Sequence, residues 1–238
     1  MLYINFSGAA LHSEFGVYTD HAPSNLVNGL HESRGYQLAT PALLEDVFMD
    51  ATHPDRQTVI ADVVAQVEQV LAPFDVQVVT QKPLLSEYTM IVVGGRWGQW
   101  MQTQTCTKWG HAALDCDGSN PSDIGFVASE CLFDNVSWHG EAGRTILAHT
   151  ILHEAAHTWG LVHNQTDGSI MCTQCAKSHQ SLDWGIGPVA NDVTIACGNT
   201  DQDDYAILMA HLGPAMSRPA ISPPPDTTPP VIKWLLPG

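Results

Sequence analysis

Basic residues are scarce in this chain. Nine Lys and Arg stand against 25 Asp and Glu in 238 residues, a formal charge of −16. Such a surface repels phosphate backbones and anionic membranes, so nucleic acid and membrane partners are excluded. No apolar run is long enough to cross a bilayer. The opening Met1-Leu2-Tyr3-Ile4-Asn5-Phe6 lacks the basic start of a secretory leader and reads as a strand. Cysteine is absent before position 106, so an upstream cysteine that caps a metal is not expected. The length suits one large domain or two small subdomains around a sizeable core.

What the chain does have is concentrated in His153-Glu154-Ala155-Ala156-His157-Thr158-Trp159-Gly160-Leu161-Val162-His163. Two histidines four apart on a helix project from one face, one turn apart. Their imidazoles can share one metal ion. Glu154 sits beside the first, where its carboxylate can reach a metal-bound water without being a ligand. Gly160 can leave the helix in a left-handed conformation that other residues resist. His163 can then return as third ligand. Three nitrogen ligands and one open position describe a catalytic zinc site rather than a closed structural one. His149 shares the helix face, but it lies roughly 12 Å from His157 along the axis, too far to share an ion. It is assigned to packing or to support of the ligands.

This stretch resembles the signature of the metzincin clan of zinc metallopeptidases. Ser169-Ile170-Met171 follows closely and resembles the clan's Met-turn, with Met171 as a support beneath the metal rather than a ligand. The resemblance implies an α/β (α+β) fold: a twisted mixed sheet with two long helices above a cleft, then a small irregular C-terminal subdomain with one helix. It implies one catalytic zinc ion held by His153, His157 and His163, with Glu154 as general base. It also implies an edge strand that pairs with extended substrate, placed at Ala112, Ala113 and Leu114. The wall of the pocket beyond the cleaved bond is placed at Trp184 to Val193, with Trp184 and Gly185 foremost. Serralysins and astacins carry a tyrosine two residues after the methionine; Thr173 stands here, so that role does not transfer.

Local patterns fill in the rest. Arg56 to Leu71 carries apolar residues at helical spacing, and Pro73 ends it. Phe74–Thr80, Glu87–Val93 and Ile124–Ala128 read as strands. Gly143 to Trp159 reads as the helix bearing the histidines, and Asp201 as the start of a final helix ended by Gly213-Pro214. Residues 7–55 form a long irregular stretch with a helical patch around Pro41–Met49. The tryptophans at 97, 100 and 109 read mainly as core. The divisions expected are 1–160 with the histidine helix, 161–214 with the Met-turn and final helix, and a Pro-rich linker or tail at 215–238.

Six cysteines, an even count, favour three disulfides and a secreted, extracellular or periplasmic setting. Proximity favours bridges within 106–131 and within 172–197. The rival is a second zinc on Cys172 and Cys175, but archaemetzincins place a cysteine directly after the third histidine, where Asn164 stands. Asp115-Cys116-Asp117-Gly118-Ser119-Asn120 offers alternating oxygens for Ca2+ but lacks a terminal bidentate glutamate, so a polar turn is favoured. The expectation is a monomeric secreted endopeptidase acting on peptide or protein substrate, with further C-terminal domains in the parent protein. The alternative is a latent or catalytically silent zinc-binding module of a larger surface protein.

Overall fold

In the computed structural model of the chain the described residues are 1–7, 56–84, 87–95, 106, 109–133, 140–173, 175, 181–190 and 197–216. The helical patch at Pro41–Met49, the tryptophans at 97 and 100 and nearly all of the Pro-rich tail lie outside them.

Three strands are short, apolar and rich in branched residues: β1 (Leu2–Asn5), β3 (Thr89–Val93) and β5 (Ile124–Val127). They run parallel to one another, with β2 (Val78–Val79) parallel at one edge and β4 (Gly110–Ala112) antiparallel at the other. The order is β2-β1-β3-β5-β4. Alternation sends Leu2, Ile4, Ile91, Val93 and Val127 to one face, and Tyr3, Met90, Val92, Ile124 and Phe126 to the other. Both faces are buried, as parallel strands without polar alternation require.

The first face is covered by two long helices. In α1 (Arg56–Leu71), Val59, Ile60, Val63, Val67 and Leu71 form the buried stripe. The second long helix, α3 (Glu141–His157), follows the short α2 (Ser129–Phe133). From Leu147 to Ala156 it is buried all round, because it is wedged between α1 and strands β3, β4 and β5. Arg144 on α3 pairs with Asp62 on α1. Past α3 come a two-stranded sheet of β6 (Ile186–Pro188) and β7 (Asp201–Asp203), then α4 (Asp204–Leu212). The architecture is therefore mixed α/β, with four helices among the described residues.

Several local expectations need correction. The strand expected over Phe74–Thr80 shrinks to Val78–Val79, because the Phe74–Val76 backbone turns and Asp75 bonds to the Gly213 carbonyl. The final helix starts at Asp204, not Asp201. Residues 201–203 pair with β6, and the Asp203 side chain caps the helix by accepting from Ala206 N–H at 2.9 Å. The histidine helix runs two residues earlier at each end than expected. β6 and β7 were not expected at all.

The cysteines form three disulfides. The two stretches favoured by proximity each hold one, Cys106–Cys131 and Cys172–Cys175. The third, Cys116–Cys197, spans 81 residues and joins the loop after β4 to the segment before β7. Cys172 and Cys175 bond to each other, so they form no thiolate pair for a second metal. No helix among the described residues is long and apolar enough to cross a membrane.

Candidate metal centre

The C-terminal turn of α3 delivers His153 and His157. The helix then ends in a turn whose hydrogen bonds are set by Gly160. Leu161 N–H reaches the Ala156 carbonyl at 3.0 Å and Gly160 N–H the His157 carbonyl at 3.3 Å. Gly160 takes φ +94°, and a side chain there would stand 2.7 Å from His211 Cε1. The reversal brings His163 back onto the two helical histidines.

The Nε2 atoms of His153 and His157 lie 3.2 Å apart, and those of His153 and His163 3.3 Å apart. Tetrahedral coordination at about 2.0–2.1 Å from each nitrogen requires ligand separations of roughly 3.3 Å. His153 Nδ1 lies 2.8 Å from the Ile170 carbonyl, and His157 Nδ1 lies 2.7 Å from the Leu161 carbonyl. A carbonyl only accepts, so each Nδ1 carries the proton and each Nε2 presents a lone pair. Lone pairs this close repel unless a cation lies between them. A proton is a poor candidate: burial, and then the charges of His157 and His163, hold His153 well below the ordinary histidine range. The three histidines can hold a metal ion, and imidazole donors suit a divalent transition metal.

Glu154 is buried under the sheet edge. A Cβ on Gly110 would stand 2.7 Å from Glu154 Cγ and Cδ, and one on Gly125 would stand 3.5 Å from its Cβ. The missing side chains on β4 and β5 are what let this carboxyl fit below the edge strand. The edge strand expected at Ala112–Leu114 lies two residues earlier. β4 covers Gly110–Ala112, so of the expected residues only Ala112 lies in it. Ala113 is buried and Leu114 half-buried beyond its end.

Met171 is fully buried in the main core. Its turn fixes one of the three histidines directly, through the Ile170 carbonyl on His153. His149 stands outside the triad. Its ring is nearly parallel to that of His153 at 6.2 Å, and its Nδ1 meets the Ser181 carbonyl at 2.8 Å. Burial holds its pKa below the ordinary value. Of the expected pocket wall, Trp184 lies edge-on to Phe74 at 6.4 Å, against the core. Gly185 meets the turn instead: a side chain there would stand 2.8 Å from Ser169 Oγ.

One residue that sequence reasoning missed ties these parts together. Asp204, the first residue of α4, is completely buried. It accepts from Asn164 Nδ2 at 3.0 and 3.1 Å, Ser169 Oγ at 2.8 Å, Gly185 N–H at 2.8 Å and Gln202 Nε2 at 2.7 Å. Burial raises its pKa, while the four donors and the helix N-terminus favour the charged form. An acidic residue opening a helix is ordinary in sequence, and nothing local signals its burial.

No protein-family model matches the chain, and no curated protein matches it. Among solved structures it is similar to one described as "GM1 bound form of the ECX AB5 holotoxin". The identity is 12%, over 90% of this chain and 81% of that one, with a TM-score of 0.39. A likeness that loose does not establish a shared fold.

Proposed function

We propose that the chain is a secreted zinc-dependent endopeptidase of metzincin type. The observation that carries the reading is the inward convergence of three histidine nitrogens with Glu154 beside them under the edge strand. A zinc ion held by His153, His157 and His163 would supply Lewis acidity, making water acidic enough to ionise near neutral pH and polarising a carbonyl. Glu154 accepts the proton of the attacking water and passes it to the leaving amine. A peptide added alongside β4 would gain main-chain hydrogen bonds and pass close to Glu154. The wall of the pocket beyond the cleaved bond falls to the stretch from Trp184 to Val193, with Gly185 against the Ser169 turn. The three disulfides fit an oxidising compartment.

The test is hydrolysis of casein by the full chain, with and without a zinc chelator, beside Glu154→Ala. The expected outcome is cleavage that the chelator abolishes. Glu154→Ala should keep one metal per chain and lose rate by about 10²–10⁴-fold. Full proteolysis by Glu154→Ala would sink the assignment of the base. Metal uptake with no cleavage by the unaltered chain would favour the silent binding module.

A further inference from the structure

Four donors converge on Asp204, three of them from residues far away in the sequence. Asn164 Nδ2 comes from the residue after His163, Ser169 Oγ from the turn that carries Ile170, and Gly185 N–H from the stretch before β6. The fourth, Gln202 Nε2, belongs to a side chain that also brackets the Val162 peptide. It donates to the Val162 carbonyl at 2.8 Å, while its Oε1 accepts from Val162 N–H at 2.9 Å. Val162 and Asn164 flank His163, so both neighbours of the third ligand are tied to this carboxylate. Ser169 Oγ in turn accepts from Met171 N–H at 3.0 Å, next to the Ile170 carbonyl that orients His153. His157 is the exception: its Nδ1 partner, Leu161, belongs to the turn that directly follows its own helix.

Only a carboxylate suits this position. It is acceptor-only, with two oxygens able to take about four hydrogen bonds. An amide of the same shape would turn an NH₂ group towards at least one of the four donors.

We propose that Asp204 is a positioning residue for the metal centre, holding the segments that orient His163 and His153, and through Gly185 the adjacent wall, without touching either ligand. This rests on the reading of the triad as a metal site. Partners of metal ligands in other sites change affinity by about 10–100-fold when altered.

The test is cobalt(II) titration of the full chain, followed through the visible absorption of the bound ion, with zinc affinity measured by competition. The set is the unaltered chain, Asp204→Asn, Ser169→Ala and Val67→Ala. Val67 is a buried core residue of α1 and serves as a control for destabilisation alone. Asp204→Asn should lose about 10–100-fold in affinity and change the cobalt absorption, because ligand directions shift. Ser169→Ala should shift both readouts the same way by less, and Val67→Ala should shift neither. Unaltered affinity and absorption in Asp204→Asn, or an equal loss in Val67→Ala, would overturn the proposal while leaving the metal centre standing. If Asp204→Asn does not fold, Ser169→Ala decides: unaltered affinity there overturns it equally. Failure of the unaltered chain to take up cobalt would bring down the metal-centre reading and this inference together.

Discussion

Two clusters of metal-ligand residue types lie side by side in this molecule, and they differ in where their lone pairs point. In the histidine cluster the Nδ1 atoms of His153 and His157 are tied to carbonyls, and the Nε2 atoms face one another about a common centre. In the neighbouring turn Asp115, Asp117 and Asn120 each commit one side-chain oxygen to a backbone amide. Asp115 Oδ2 accepts from Asn120 N–H at 2.7 Å, Asp117 Oδ1 from Ser119 N–H at 3.2 Å, and Asn120 Oδ1 from Ser122 N–H at 3.1 Å. The two are joined by Asp115 N–H, which reaches the His157 carbonyl at 3.2 Å. An oxygen that already holds a backbone amide is building a turn, whereas nitrogens anchored on their other side and converging on a common centre are arranged for a cation.

Removing a ligand breaks this contrast most severely. His157→Ala should cost about 10²–10³-fold in zinc affinity, one ligand's share of the binding energy seen at closed zinc sites. Competition with a chelating dye checks it, and retained affinity would mean the triad is not the site.

A smaller effect comes from the acidic turn. Asp123 is pushed up to about 7, first by burial and then by the charge of Asp115. A carboxyl whose folded pKa is raised favours folding at low pH, and that advantage fades as pH climbs from about 4 to about 7. Asp123→Asn has no such charge and retains an oxygen for the Asn120 amide, which now donates to Asp123 Oδ1 at 2.7 Å. The melting temperature of the variant relative to the unaltered chain should rise across that window and level off above it. A difference independent of pH would contradict the assignment.

The smallest expected effect is that of calcium. If the Asp115–Asn120 oxygens serve the turn, millimolar Ca2+ should shift the melting temperature by no more than about 1 °C, with or without Asp115→Ala. A larger shift that Asp115→Ala removes would make the turn a second cation site after all.

The contrast also separates what the sequence could settle from what it could not. The helix over 56–71 was legible to its ends, because Val59, Ile60, Val63 and Val67 keep step with 3.6 residues per turn. The strands at Leu2, Thr89–Val93 and Ile124 declared themselves through their apolar, branched composition. Gly160 was legible as a turn, since its positive φ suits a residue without a side chain. The histidines themselves were legible because helical spacing places two of them together whatever the rest of the chain does. All of these are properties of neighbours in sequence.

What only tertiary structure decided was set by segments far apart in the chain. Residues 201–203 became a strand because β6 was there to pair with them. Cys197 found Cys116, 81 residues away. Glu154 fits below the edge strand only because Gly110, 44 positions earlier in the numbering, leaves the space. Asp204, polar and at a helix start, reads as a surface residue until Asn164, Ser169 and Gly185, all far away in sequence, close over it together with nearby Gln202. A buried charge is tolerable only where partners satisfy it, and the partners are chosen by the fold.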